Sequence, residues 1–398
     1  MSDMIKYHSM NTYKETKLHT IINMTVFFTL FMCYTLKFLY PPFYAATDKY
    51  AGLFVFLMES VLLLNNFNPF EAIKNKDIDF IVCAVILVII GVNLIVVGSG
   101  YGAYFTAANF ILIFYASDKL SFSNNQLKIM SAAYLLMLMF WLIVLYHGYF
   151  GSYDASFALN TNGAATFTVY TFFCAYILLA DLFEKYRFVG VFIVILFVRL
   201  IRLDIWHRAR GAFIILTLFF VFYYIVPKKL WGNKKFITAI LFLATFGSII
   251  FVAIYTAVGL SGFNVFVPVF YKNIFSGREN IWFEFFNYFK SKPLTGIGTN
   301  ITIESFVEFN VHNAMYDILV VHGIIVFAGA MYFIFKRMIK FSESASKNSI
   351  SLIAYCVLIA VFFESYIDVD LLWADYALNL MFLLAVVKNY KPNNKVIE

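Results

Sequence analysis

The sequence predicts an all-α, polytopic integral membrane protein of about twelve transmembrane helices, with a large outer loop between the ninth and the tenth. Three observations predict it. Hydrophobic residues fill 62% of the 398 positions and charged residues 13%, against roughly 25% charged in a soluble domain, so water is not the main solvent. Apolar runs of about 20 residues, the length a helix needs to cross the hydrocarbon, recur between short polar breaks. Most of the 30 Lys and Arg fall in alternate breaks, as the positive-inside tendency requires. A backbone in lipid must satisfy its own hydrogen bonds as helices or a closed barrel, and strand-like alternation is absent, which selects helices.

In order, the helices are expected near 20–40, 50–66, 79–97, 102–117, 128–147, 164–182, 187–203, 211–226, 236–258, 314–335, 350–366 and 371–388. The first follows Lys6, Lys14 and Lys17 and has no small-residue cleavage site, so it reads as a retained helix rather than a signal peptide. With the N-terminus in the cytoplasm, the inner breaks carry Lys74, Lys76, Lys119, Lys128, Lys185 and Arg187. Farther along they carry Lys228, Lys229, Lys234 and Lys235, then Lys336, Arg337, Lys340, Lys347 and the tail lysines, and both termini lie inside. The outer breaks are YPPFYAATDK, GSGYG, HGYFGSYDASFALNTNG, a link around 199–210 and the longest segment, 259–313. The chain 1–398 thus reads as a single membrane domain, with 259–313 an extracytoplasmic loop that carries part of the candidate site. The net charge of +7 is a topology signal and not a nucleic-acid patch. No internal repeat is evident, which disfavours the inverted-repeat plan of many transporters. Cys33, Cys83, Cys174 and Cys356 all sit in apolar runs without CxxC spacing and read as packing residues.

The candidate chemistry collects on the outer side. Arg199, Arg202, Arg208 and Arg210 fall within one short outer link, where cations are expected to be few. Arg199 and Arg202, three apart, share a helical face, and Arg210 opens the next helix in the string HRARGAFIIL. Two readings stay open: snorkelling to anionic headgroups, or recognition of a ligand such as a diphosphate, which suits rigid guanidinium forks. The second constellation is SGRENIWFEFFNYFKSKPLTGIGTN followed by VHNAMYDILVVHG. After Arg278, the residues Trp282, Phe285, Phe286 and Phe289 lie at helical spacing and predict an amphipathic helix on or against the membrane. Gly296 and Gly298 read as a turn. His312, beside Asn313, stands where the loop re-enters the membrane, either as a hydrogen-bonded structural residue or as a base for an acceptor hydroxyl. Asp368, Val369 and Asp370 spell a DxD that reads as solvated loop in preference to a metal site. Asp181 and Glu184 are expected to pair with Lys185 and Arg187, and Glu59 stands in the second apolar run with no partner nearby in sequence.

The order and spacing of these strings carry a likeness: an Arg-Gly-Ala helix start after a short outer link, a long outer loop opening SGRxxIW, then PLTGIG and HNxxxxxLxxxG. The chain resembles the O-antigen polymerase and O-antigen ligase superfamily, which includes capsular polysaccharide polymerases. The likeness covers the twelve-helix layout and most specifically Arg208 to Gly323; Asn160–Ala165 is also similar to the family's polar start of the sixth helix. It departs at Thr161, where a Pro is expected between two asparagines, and at Ala209, often Ser in the family. The resemblance implies a bacterial cytoplasmic (inner) membrane enzyme that takes undecaprenyl-diphosphate-linked glycans as donors on the outer face, without metal, nucleotide sugar or other cofactor. Membrane lipids and other polysaccharide assembly proteins are the further partners, and nucleic acid is not one. It implies that Arg210 and Arg278 stabilise the leaving diphosphate, that His312 deprotonates or orients the acceptor, and that Arg208, Arg199, Arg202 and Asn313 contact diphosphate or glycan. Polymerase and ligase share donor chemistry, and the first is favoured because the outer loop holds no extra acceptor domain. A flippase or exporter, from a different class, would line a path through the bundle with its charges.

Overall fold

In a computed structural model, residues 17–146, 161–305 and 309–391 are described. Lys6, Lys14, most of HGYFGSYDASFALNTNG including Asn160, and Lys395 lie outside them. The described chain is almost wholly helical. It runs α1 (Lys17–Leu39), α2 (Pro41–Thr47), α3 (Ala51–Asn66), α4 (Pro69–Lys74), α5 (Ile78–Val97), α6 (Tyr101–Ser117), α7 (Asn124–Tyr146) and α8 (Thr161–Lys185). Then come α9 (Val189–Trp206), α10 (Arg210–Phe220, prolonged by a π turn over Val221–Ile225), α11 (Lys234–Leu260), α12 (Arg278–Phe289), α13 (Ala314–Ala345), α14 (Ser349–Glu364) and α15 (Ala374–Asn389). The short helices α2 and α4 fall in expected breaks, and between α11 and α12 β1 (Phe266–Val267) pairs antiparallel with β2 (Lys272–Asn273), a hairpin the sequence reading does not contain.

Among the described residues, 6 helices are long and apolar enough to cross a membrane: α1, α5, α11, α13 and most of α7 and α8. Shorter apolar helices, α10 with its π turn and α14, stand beside them. Polar residues at the breaks start several of these helices. The side chains of Asp77, Asn233, Asn313 and Asn348 accept from the first free N–H groups of α5, α11, α13 and α14, the usual service of an N-cap. Helices α14 and α15 are buried on almost every face, as apolar helices without an amphipathic stripe must be. Around them α5 and α9 turn large apolar side chains outward, with Ile95 83% and Val191 65% exposed. An apolar surface of that extent is stable against lipid and not against water. The protein is therefore membrane-associated.

At the end of α13 away from the 259–313 segment, a charged knot ties α5, α6 and α13. Arg337, 1% exposed, meets Asp79 at 3.0 Å and Asp118 at 3.2 Å, and its Nε donates to the Phe114 carbonyl. Lys336 and Lys340 complete the two carboxylates. Removing one member of such a buried set leaves the others uncompensated, at a cost of about 3–5 kcal/mol. Arg337→Ala should therefore lower the amount of folded protein recovered in detergent and its melting temperature; unchanged values would show that the knot is dispensable. Asp181 and Glu184 do not pair as expected: Asp181 binds Lys128 at 2.9 Å and the Tyr390 hydroxyl, while Glu184 accepts from Ser349. Helix α8 lies against α7 and α14 there, so tertiary neighbours replace the sequence-local ones.

Gly296 and Gly298 prove to be more than a turn. Helix α13 is broken at Gly323 (φ 86°, ψ 170°), a region that glycine alone enters cheaply. The break exposes backbone groups, and PLTGIG fills the gap: Ile297 N–H donates to Val320 and Gly298 N–H to Val321, while Ile324 N–H donates to Pro293. A Cβ at Gly296 would stand 2.3 Å from the Val321 carbonyl oxygen, and one at Gly323 2.2 Å from that of Leu294. Two motifs of the outer loop are thus halves of one backbone clasp. Ser99, from GSGYG, adds hydrogen bonds to Thr299.

Candidate functional site

The residues that flank His312 fix its place. Asn313 caps α13 through Tyr316 N–H and donates to Ser248 and to the Tyr366 carbonyl, and Ala314 N–H bonds the Ser365 carbonyl. These bonds hold the start of α13 against the end of α14. Asn313 is fully buried, so its amide belongs to the scaffold. From the other side Trp282 Nε1 donates to the Val311 carbonyl at 2.6 Å. His312 itself takes a left-handed backbone (φ 53°), with its N–H bonded to Asn310 Oδ1 at 2.8 Å. A bulky residue in that conformation is held there by its surroundings, and here the effect is to carry the imidazole beside Asp368, Nδ1 to Oδ1 3.9 Å.

The SGRxxIW string explains itself in the same way. Gly277 (φ 91°) turns the chain into α12, which puts Arg278 on its first turn, and Ile281, Trp282 and Phe285 are buried. The expected amphipathic helix exists, but Trp282 and Phe285 face the protein, not lipid, because α11 and Tyr316 cover them; Phe286 points outward, 53% exposed. Arg278 Nη2 lies 3.9 Å from Asp368 Oδ2. Arg210 donates to the carbonyls of Asn273 and Ile274 at 3.0 and 3.2 Å and to Ser276 Oγ, and it lies in the field of Arg278, Tyr255 and Asp368. Gly211, next in the Arg-Gly-Ala string, leaves room for Glu364: a Cβ there would stand 2.7 Å from Glu364 Oε1.

Arg208 and Lys272 join this group. Arg208, also left-handed (φ 54°), lies over the Tyr271 ring, and Lys272 donates to its carbonyl at 3.3 Å. The structure therefore brings together Arg208, Arg210, Arg278 and His312, which the sequence singled out, with Lys272, Tyr255 and Asp368. It does not bring Arg199 and Arg202 to them. Both are exposed on α9, and Arg202 lines a cavity made by α9 residues around Ile205 and Trp206. No protein-family model matches the chain, and no curated protein does.

The DxD is not solvated loop. Asp370 is 3% exposed and Asp368 partly covered, because the segment after α14 folds inward beneath the cations. Burial pushes Asp370 well above the ordinary carboxyl range, helped by Asp368 and Glu364. Asp368 feels the same burial, yet His312 and Arg278 hold it below the ordinary value. The two carboxyls of the DxD thus shift in opposite directions under the same burial, and Asp368 is the one that faces the cations.

Lys272 reports on the whole cluster. Burial, then Arg210, Arg278 and Arg208, bring its ammonium from 10.5 down to about 8. Since the folded value is depressed, the charged amine weighs against the fold below about pH 8, and that weight lifts as pH rises toward 10.5. An anion bound among these cations would restore the proton. Calorimetric titration with a polyprenyl diphosphate near pH 9, repeated in buffers of different ionisation heat, should show proton uptake that Lys272→Met abolishes. Equal uptake in the variant would remove Lys272 from the anion site.

Proposed function

We propose that the protein is a membrane glycosyltransferase that polymerises undecaprenyl-diphosphate-linked repeat units on the outer face of the bacterial cytoplasmic membrane, inverting and metal-independent. One observation carries the reading: Arg208, Arg210, Lys272 and Arg278, from the α9–α10 link and the 259–313 segment, converge beside His312 at the start of α13. Cations of that number suit a diphosphate, and guanidinium forks can follow its charge as it grows on departure. The apolar cavity of about 400 Å³ between α11 and α12, lined by Thr256, Phe283 and Phe286, offers the isoprenoid a place beside that headgroup.

The topology rests on the same charges. Asn313 and Arg337 are separated on α13 by on the order of 35 Å of helix rise, enough to cross hydrocarbon of about 30 Å. On this reading the 6 long apolar helices are joined in the membrane by six shorter ones to make twelve spans, with both termini inside and 259–313 outside with the cations. A Cys placed near residue 290 should react with an impermeant reagent in intact cells; reaction after permeabilisation alone would put the site on the wrong side.

In the reaction His312 takes the proton of an acceptor hydroxyl whose oxygen attacks the anomeric carbon from the face opposite the diphosphate. The bond to the diphosphate oxygen breaks, and that oxygen keeps the electron pair in the field of Arg210 and Arg278. Asp368, 3.9 Å from both the imidazole and Arg278, supplies the negative charge between them. Asn313 is a positioning residue, and Arg199 and Arg202 serve the lipid headgroups. The deciding experiment is the lipid-linked pool of a deletion strain. Single repeats accumulating outside support a polymerase, finished polymer left on its lipid indicates a ligase, and repeats trapped inside indicate a flippase.

A further inference from the structure

Two cavities open near the start of α13 on the side of α6 and Trp373, and none of the site's cations lines either of them. The larger, about 400 Å³, lies among the ends of α1, α2, α3, α6 and α15, and its wall includes Lys37, Tyr44, Asp48, Lys49 and Asp375. The smaller, about 150 Å³, lies between α6, the loop residues Thr299, Phe309 and Asn310, and the first turns of α13. They adjoin, since Thr106 and Trp373 line both. The inner end of the smaller one is Asn310, which holds the His312 N–H, and Val369, next to Asp368. A molecule laid through both would reach Asn310, which lies two residues before His312 and accepts its N–H.

The walls select a chemistry. Lys37 is fixed between Asp375 at 2.6 Å and Asp48 at 2.7 Å, over the Tyr44 ring. With Lys49 exposed on the rim, charges of both signs face the space, which suits a polyhydroxyl ligand and repels a diphosphate from the Asp48 side. Trp373, 38% exposed, stands at the junction as an apolar plate with polar groups around it, and Asp317, Asn310 and Thr299 supply hydrogen-bonding groups in the inner cavity. Flat rings edged with aligned hydroxyls, the form of pyranoses, match a plate flanked by carboxylates and amides.

We infer that the paired cavities are the acceptor subsite, a track for several sugar rings that delivers a terminal hydroxyl to His312. The inference rests on the glycosyltransferase reading, which places the donor among the arginines. It also explains how one bundle keeps two similar glycans apart: the donor is read by its diphosphate, and the acceptor by rings in a space that disfavours phosphate.

The probe is oligosaccharide released by partial acid hydrolysis from the cell's own polymer, titrated into the full-length protein in lipid nanodiscs. Trp373→Ala should weaken its binding about three- to tenfold, the worth of one aromatic contact, and raise the acceptor KM with donor affinity unchanged. Thr106→Trp, which plugs the junction, should shorten the polymer in cells. Arg278→Ala should retain oligosaccharide binding while losing the polymer. If Arg278→Ala loses the polymer but Trp373→Ala and Thr106→Trp keep wild-type affinity and chain length, the acceptor lies elsewhere and the inference fails. If Arg278→Ala leaves the polymer intact, the glycosyltransferase reading fails first and takes the track with it.

Discussion

Arg278→Ala is expected to abolish the polymer while the protein remains folded and normally abundant. The Arg278 side chain is 14% exposed, and its ionic neighbour among the described residues is Asp368 at 3.9 Å, too long to be a scaffold bond. On the proposed reading its charge therefore matters less to the fold than to the leaving group. Loss of one preorganised donor costs about 10²–10³ in turnover, and here the donor also contributes to ground-state affinity, so donor binding should weaken as well. Arg278→Lys should recover only part, because a point charge lacks the fork. Arg210→Ala should be as damaging for a second reason: its guanidinium also clasps the Asn273 and Ile274 carbonyls, and the loop that carries Lys272 and Arg278 loosens without it. Normal polymer from Arg278→Ala at normal expression would end its assignment.

His312→Ala should leave donor affinity nearly intact and lower turnover by about 10²–10⁴, the value of a positioned base for a weak hydroxyl nucleophile. Asp368→Asn should lose less, since it removes the partner of Nδ1 and leaves the ring. His312→Gln separates orientation from proton transfer, because the amide accepts a hydrogen bond but is no useful base. Near-normal turnover of the Gln variant from about pH 5.5 to 8, across the range where imidazole changes charge, would defeat the base assignment. Asp317, which lines the adjoining cavity, would then be the residue to test. Glu304, the second alternative, is exposed, with its N–H bound to Glu284.

Helix positions were legible because one-dimensional rules govern them. A run of apolar residues in lipid has few ways to satisfy its backbone, and Asn or Asp at a break caps the next helix, as at Asn233 and Asn348. The cationic strings were legible too, since several arginines in one short break of so apolar a chain stand out. Lys272 was missed because it is one lysine in a loop without periodicity, and Asp368 was taken for solvent-facing because no sequence rule says that the turn after α14 folds inward. Trp282 was assigned to the lipid face because an aromatic stripe looks the same whether bilayer or protein covers it.

By itself, then, the sequence determined a helical chain for a lipid environment, the places of its helices, and a set of cations in two polar breaks with one histidine among them. The tertiary structure alone decided which of those groups meet. Arg199 and Arg202 share a short link with Arg208 and Arg210, yet they stay out on α9, while Arg278 and His312, far away in sequence, arrive at the same place as Arg210. The reason is physical. Hydropathy and capping act through neighbours along the chain, whereas an electrostatic site is assembled by contacts such as Asn313 with Tyr366 and Ile297 with Val320, which exist only once the helices have packed.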